Sequence, residues 1–254
     1  MSRELARAAA TFEWGWSADE LERLVDAVGW TWREPSEGAV TCEFGTARSA
    51  GGDAGGEAGG GAGRKAGGDA GAGAFVFRGE VTAIYQNLIE HDTADVLDRR
   101  DAFCRAVDDI AEVLGPPPTR TPGPDPSAGW PVAAGVLEVV DRPQALDLWL
   151  RPEQRRPTTP PQKAKSHTNP IDWYGLTTLV ATEAACLPAG TTLRVGPSIT
   201  LTQRPDRLTV TVAGTSTAID WPATGTTYRS MAAGLVAWLR DETGHSHPDE
   251  VLIS

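Results

Sequence analysis

The chain has 254 residues, 40% of them hydrophobic and 22% charged, which is the composition of an ordinary globular protein. Its net charge of -11, from 23 lysines and arginines against 34 aspartates and glutamates, argues against nonspecific binding to nucleic acid or to an anionic membrane. The three cysteines are widely spaced and lack a CxxC pair, which argues against a disulfide framework and a zinc site.

The N-terminal segment MSRELARAAATFEW contains no long apolar run, and no other segment approaches the length of a membrane span. We therefore expect no signal peptide, no association with a membrane, and a cytoplasmic protein. The acidic balance favours solubility and a basic protein partner.

The first strong helix signal is the segment WSADELERLVDAVGW. Ser17 is the predicted N-cap, with Glu20 at the reciprocal position of a capping box, and Gly29 ends the helix. The segments WTWRE and AVTCEF, which follow, are predicted strands, and alternation places Trp30 and Trp32 on one face of the first.

A glycine-rich segment comes next, over residues 49–73. A phosphate-binding loop requires GxxxxGK followed by Ser or Thr, between a strand and a helix, whereas here alanine follows the lysine and no helix signal follows. Glycine loses much backbone entropy on folding and has no side chain to bury. We therefore predict a flexible, disordered insertion between two strands.

Strand character resumes in AFVFRGEVTAIYQNLIE, with the RGE tripeptide as a turn between two strands. A helix is predicted over residues 95–114, where apolar residues recur at helical spacing until Gly115 and three prolines. The segment TRTPGPDPSAGW is interpreted as a polar connection. The segments GVLEVV and ALDLWL then form a predicted hairpin, with Leu146, Leu148 and Leu150 on one face.

A proline-rich and basic segment over residues 153–168 is the strongest boundary signal and predicts a linker. It separates an N-terminal domain, residues 1–152, from a second unit, residues 169–244, with a tail over residues 245–254. The second unit begins with a helix, for which Asn169 is the predicted N-cap. Three strands and a helix over residues 227–242 complete an α-β-β-β-α order.

These patterns predict an α+β fold of two small units, each with antiparallel strands flanked by helices. Strands and helices do not alternate regularly, which excludes the crevice where doubly wound folds bind nucleotides. No GxSxG motif is present. His245 and His247 are the one candidate pair of metal ligands, but they lie in the tail. We therefore predict no catalytic residue, no metal site and no cofactor.

Nine tryptophans are the unusual feature of the composition. One interpretation is packing in the core and at its rim, because tryptophan buries a large area. The other is an exposed aromatic surface for a protein partner, since tryptophan is enriched among binding hot spots. The candidate partner-binding residues are Trp14, Trp16, Trp30 and Trp32. A nucleic-acid platform would need interleaved basic residues, so no nucleic-acid partner is expected.

Three segments, FEWGWSADELERLVDAVGW, RDAFCRAVDDIAEVLGPPPTRTPG and AGW with ALDLWL, together resemble an uncharacterised actinobacterial family, a domain of unknown function, over about residues 10–152. The glycine-rich segment departs from that pattern. The resemblance implies no site residue, because the family has no established active site. It implies polymorphic-toxin and type VII secretion settings, where small acidic α+β proteins serve as immunity proteins or chaperones.

Three functions stay open from the sequence, one of them a two-domain scaffold module that only the identity of its partner would distinguish. The acidic charge, the tryptophan excess and the lack of a catalytic motif favour a non-enzymatic protein-interaction module, an immunity protein or a secretion chaperone that binds a basic partner. The alternative is a small-molecule-binding protein or an enzyme of unrecognised class, with a pocket between sheet and helices that gathers His91 or carboxylates. The sequence assigns no oligomeric state.

Overall fold

The computed structural model describes residues 2–33, 41–46, 71–90, 95–153 and 172–243, together with positions 247, 248, 251 and 253. Up to residue 153 these residues form three helices, a short 3-10 turn at Ala18–Glu20, and eight strands. The helices are α1 (Ser2–Thr11), α2 (Leu21–Val28) and α3 (Val96–Leu114). The strands are β1 (Trp30–Arg33), β2 (Thr41–Thr46), β3 (Ala72–Phe77), β4 (Glu80–Glu90), β5 (Thr119–Thr121), β6 (Ser127–Val132), β7 (Gly135–Asp141) and β8 (Ala145–Arg151).

The eight strands form one antiparallel sheet in the order β1-β2-β3-β4-β8-β7-β6-β5. Strand β4 pairs with β8, although α3 and three strands lie between them in the chain. Helices α1 and α3 pack on one face of this sheet, where Leu5, Phe103 and Leu148 belong to one hydrophobic cluster. Strand pairing distant in sequence therefore determines which side chains share the opposite face.

The second part of the described chain contains two helices and four strands. They are α4 (Trp173–Ala185), β9 (Thr192–Val195), β10 (Ile199–Gln203), β11 (Arg207–Val212), β12 (Thr215–Asp220) and α5 (Gly225–Thr243). The strands form a second antiparallel sheet, β12-β11-β10-β9, and apolar residues of α4 and α5 share its hydrophobic cluster. Two antiparallel sheets with flanking helices confirm the predicted α+β class.

Helix α3 contributes to both hydrophobic clusters. Phe103 lies in the first cluster, where its ring is 5.6 Å from that of Trp221, and Leu97 lies in the second. At the end of α3 nearest the second part, the Asp101 carboxylate accepts a hydrogen bond of 2.8 Å from the Gly225 amide. The two parts therefore meet along α3 and share its side chains.

A buried ionic cluster lies at the same junction. Arg100 pairs with Asp141 on β7, and Arg99 lies 3.6 Å from the same carboxylate. Arg100 also donates hydrogen bonds to the carbonyl oxygens of Gly123 at 2.9 Å and Ala185 at 3.3 Å. All three charged residues are buried. Because Ala185 belongs to α4, one guanidinium joins the first sheet to the helices of the second part.

Burial also controls the ionisation of two groups near this junction. It raises the pKa of Cys104 and of Tyr228 to about 12 in each case. The folded protein keeps both groups neutral after the unfolded chain has begun to ionise. Their contribution to the free energy of unfolding is therefore intact below about pH 9 and is lost as pH rises toward 12.

We expect the free energy of unfolding, measured in urea, to fall across this pH range. Tyr228→Phe should make the fall shallower, while Tyr174→Phe, at an exposed position, should not; equal slopes in all three proteins would contradict the expectation.

The helix after Trp16 begins differently from the predicted capping box. Ser17 makes no side-chain capping bond, and the Glu20 carboxylate instead accepts a 2.9 Å hydrogen bond from the amide of Gly15. The Ser17 hydroxyl donates to the same Glu20 carboxylate at 3.3 Å, and the Ser17 backbone forms a β-bridge with Glu80. Gly29 ends α2 in the left-handed conformation, with φ of 73°, as predicted.

Other elements and boundaries differ from the predictions. The predictions lack helix α1 and strands β5 and β6, and the segment interpreted as a polar connection contains β5 and the first four residues of β6. Ala72 and Gly73 belong to β3, so the predicted insertion extended two residues too far. A turn at Gly196, with φ of 61°, divides one predicted strand into β9 and β10.

The second part begins and ends differently as well. Asp172, and not Asn169, is the N-cap of α4, since its carboxylate accepts a 2.6 Å hydrogen bond from the Gly175 amide. In the predicted tail, Val251 is buried in the second cluster and Ile253 forms a bridge with Val195. Residues 49–70 of the insertion and 154–168 of the linker lie outside the described residues. The division into two domains stays a prediction.

Candidate functional site

The face of the larger sheet opposite α1 and α3, here called the open face, carries one exposed and two half-buried aromatic side chains. Alternation along β4 and β8 turns Ile84 and Leu150 into the core and leaves Tyr85 and Trp149 on the open face. Tyr85 and Trp149 are direct partners in the β4–β8 register. Phe75 on β3 lies beside them and is 37% exposed.

The three rings form what we call the open-face aromatic cluster, defined as Phe75, Tyr85 and Trp149. The Phe75 and Trp149 rings are stacked, 6.0 Å apart and 8° from parallel. Tyr85 is tilted against both, at 5.4 Å from Phe75 and 5.6 Å from Trp149. Stacked and tilted contacts of this kind are the arrangements that aromatic pairs prefer, so the three rings form one continuous apolar cluster.

Two arginines lie over the Trp149 ring, at distances of 4.5 Å for Arg151 and 5.0 Å for Arg142. Arg151 pairs with Glu138 at 2.9 Å, and both side chains are 14% exposed. Burial lowers the pKa of Arg151, and the Glu138 charge acts in the opposite direction. Arg142 is 44% exposed, with its Nε 3.7 Å from the Asp147 carboxylate. The first arginine is therefore enclosed, while the second extends into solvent.

The cluster forms one wall of a hollow of about 250 Å³. Asp147, which is 5% exposed, provides a carboxylate in this hollow, and the hairpin between β7 and β8 contributes Arg142 and Gln144. A second hollow, of about 310 Å³, lies beyond Arg151 and includes Pro118, Pro131 and Pro152 in its lining. The open face thus combines apolar rings, paired charges and two shallow depressions.

The tryptophans proposed from the sequence as partner-binding residues lie elsewhere. Trp14 and Trp30 are core residues, 8% and 5% exposed, so packing accounts for these two rings. Trp16 is half-buried, stacks on Trp14 at 4.4 Å, and donates a 2.9 Å hydrogen bond to the Ala134 carbonyl. The side chain of Trp32 lies outside the described residues. Contact of these four residues with a partner stays a prediction.

The remaining candidates from the sequence are three histidines, of which the structure describes one. His91 and His245 lie outside the described residues, and His247 is exposed. Within the described part of the chain, no group of three or more His, Cys, Asp or Glu side chains has an arrangement that would hold a metal ion. None of the helices in the described ranges is long and apolar enough to cross a membrane.

Sequence reasoning did not select the open-face aromatic cluster. The alternation of Leu146, Leu148 and Leu150 toward the core already places Trp149 on the other face of its strand. What the sequence lacked was the pairing of β4 with β8, which brings Tyr85 beside that ring.

The family model of DUF6301, described as a family of unknown function, matches residues 2–151, well over half of the chain. The matched region includes the whole larger sheet and the open-face aromatic cluster. No curated protein and no solved structure matches the chain.

Proposed function

Because the chain belongs to DUF6301, a family of unknown function, we propose a function from its own surface. The protein is a non-enzymatic interaction module that binds a basic protein partner through the open-face aromatic cluster. The observation that carries this proposal is a group of three mutually packed rings on the open face, with two arginines over the Trp149 ring. Tryptophan, tyrosine and arginine are the residues most enriched among binding hot spots.

The charge of the chain supports a basic partner. The two arginines of the cluster each lie beside a carboxylate, Glu138 or Asp147, so the cluster itself is close to neutral. The net charge of -11 therefore comes from the rest of the chain, and a negative charge of this size favours the approach of a basic protein. A toxin bound by an immunity protein, or a secreted cargo bound by a chaperone, is the kind of partner we propose.

A second candidate is the binding of a small molecule, and the hollow beside Trp149 is the observation that favours it. The two hollows, of about 250 and 310 Å³, lie at or below the lower end of the range of roughly 300–1,000 Å³ for small-molecule pockets. Both are on the open face, and not between sheet and helices as the sequence led us to expect. We therefore rank this function second.

The test begins with capture of a stoichiometric partner from native lysate at low and high salt, followed by calorimetry with the purified pair. Trp149→Ala and Phe75→Ala are each expected to weaken binding by about thirtyfold, the effect of losing a hot-spot residue. Higher salt should weaken binding by the wild type, because the steering is electrostatic.

The matched control is Tyr174→Ala. Tyr174 is an aromatic residue on α4 that is 81% exposed and lies away from the open face. This variant should bind as the wild type does. Capture of no partner, or equal affinities for Trp149→Ala and Tyr174→Ala with an intact fold by circular dichroism, would contradict the proposal.

A further inference from the structure

We propose that Trp149 and Asp147 form a subsite for the guanidinium of an arginine side chain, and that Arg142 of the same chain occupies this subsite when no partner is bound. The inference rests on the proposed function, because it names the part of the partner that the open face recognises. Its basis is the position of Arg142, which lies 5.0 Å from the Trp149 ring and 3.7 Å from the Asp147 carboxylate.

The subsite has the two components that bind a guanidinium. The face of an indole attracts a cation through its ring quadrupole, and a planar guanidinium also stacks on it. A carboxylate accepts hydrogen bonds from the same group with a matching geometry. Asp147 is 5% exposed in the hollow, so its charge is shielded from water and attracts a cation beside it strongly. In the free protein, Arg142 is a cation in that position.

The two arginines over Trp149 differ in how they are held. Arg151 is enclosed and paired with Glu138 at 2.9 Å, so its guanidinium is held in place over the ring. Arg142 lies in the hairpin after β7, where its backbone amide donates a 2.9 Å hydrogen bond to the Ala145 carbonyl. Its side chain is 44% exposed. The backbone can therefore stay in place while the Arg142 side chain moves into solvent and leaves the subsite to an incoming guanidinium.

The dimensions and charge of the site favour a side chain over a larger ligand. The hollow of about 250 Å³ suits a single side chain, with Gln144 at its edge. Exchange of one guanidinium for another conserves the local charge balance with Asp147. An arginine-rich surface on a basic partner would present this group, whereas an acidic segment would bring a second carboxylate beside that of Asp147. The occupant we assign is therefore an arginine of the partner.

The test uses the full chain and the probe N-acetylarginine amide, with binding followed by the backbone amide NMR signals of β8 and, where Trp149 is present, by its indole signal. We expect saturable shifts of the Trp149 signal, and about fivefold tighter binding to Arg142→Ala, because the competing guanidinium is removed. Asp147→Asn and Trp149→Phe should each weaken binding to Arg142→Ala by at least about fivefold. N-acetylcitrulline amide, the neutral analogue with the same shape, should give no saturable shift.

The matched control is Arg78→Ala, which removes another arginine from an aromatic ring, that of Phe77. It should bind the probe as the wild type does. Equal binding of the arginine and citrulline probes, or no gain in Arg142→Ala, would overturn the subsite. If that occurs while Trp149→Ala still weakens binding of the protein partner about thirtyfold, the proposed function stands without the subsite. If the probe binds but no protein partner is captured, the result supports the subsite and contradicts the proposed function.

Discussion

Replacing Asp141 with alanine is expected to lower the free energy of unfolding by about 3–5 kcal/mol. Asp141 is fully buried and is the carboxylate that Arg99 and Arg100, also buried, both approach. Without it, two guanidinium groups would share a low-dielectric site with uncompensated charge, which costs far more than a lost surface ion pair. Urea unfolding followed by far-ultraviolet circular dichroism measures this change.

Two further variants identify the cause of the effect. Asp141→Asn keeps the size of the side chain but removes its charge, so it should lose most of the same stability if charge is the main cause. Asp241→Ala removes the carboxylate of an exposed pair with Arg240 and should leave the unfolding midpoint unchanged. A loss below about 1 kcal/mol for Asp141→Ala would mean that the two guanidinium groups are already well solvated in the folded state.

The second large effect is expected at the start of α5, where Gly225→Ala should destabilise the protein by about 1–3 kcal/mol or prevent folding. A Cβ at position 225 would lie 2.6 Å from the carbonyl carbon of Leu97 and closer still to its oxygen. Both atoms belong to backbone, so relief requires α3 and α5 to separate. That separation would also stretch the hydrogen bond from Gly225 to Asp101.

Gly234→Ala is the matched control, because Gly234 lies in the same helix and a Cβ there would meet nothing within 4 Å. Alanine at an exposed helical position is favoured over glycine, so this variant should gain about 0.5–1 kcal/mol. Thermal unfolding should therefore show a lower midpoint temperature than the wild type for Gly225→Ala and a higher one for Gly234→Ala. A Gly225→Ala protein as stable as the wild type would show that the two helices are not in close contact.

Elements with strong local signals could be predicted from the sequence. Helix α2 has apolar residues at helical spacing and a glycine end at Gly29, and both signals are local properties of the chain. The β7–β8 hairpin likewise has clear alternation on both strands. In each case the residues that determine the structure lie within a few positions of one another.

The missed elements depend on contacts with distant parts of the chain. Helix α1 has Leu5 as its one large buried residue beside two small ones, Ala6 and Ala9, so its apolar face is visible only once α3 lies against it. Strand β6 contains Gly129 and Pro131, which are poor strand residues, yet β7 pairs along its whole length. Tertiary pairing overrides local propensity in both.

The candidate site was missed for a related reason. Alternation assigns Tyr85 and Trp149 each to a face of its own strand, but the sequence does not say that these two strands are neighbours. The tryptophans chosen from the sequence include Trp14 and Trp30, which the fold uses as core residues. The tryptophan content indicated an aromatic excess. It did not distinguish rings packed in the core from rings available to a partner.

The sharing of α3 between the two clusters has a consequence for the evolution of the chain. The region matched by the family ends at residue 151, but Arg100 inside it donates to the Ala185 carbonyl beyond that boundary. Leu97 is likewise buried among residues of the second part. A relative that ended at this boundary would expose a guanidinium and an apolar helix end, so it would need substitutions along α3 or another polypeptide to take the place of α4 and α5.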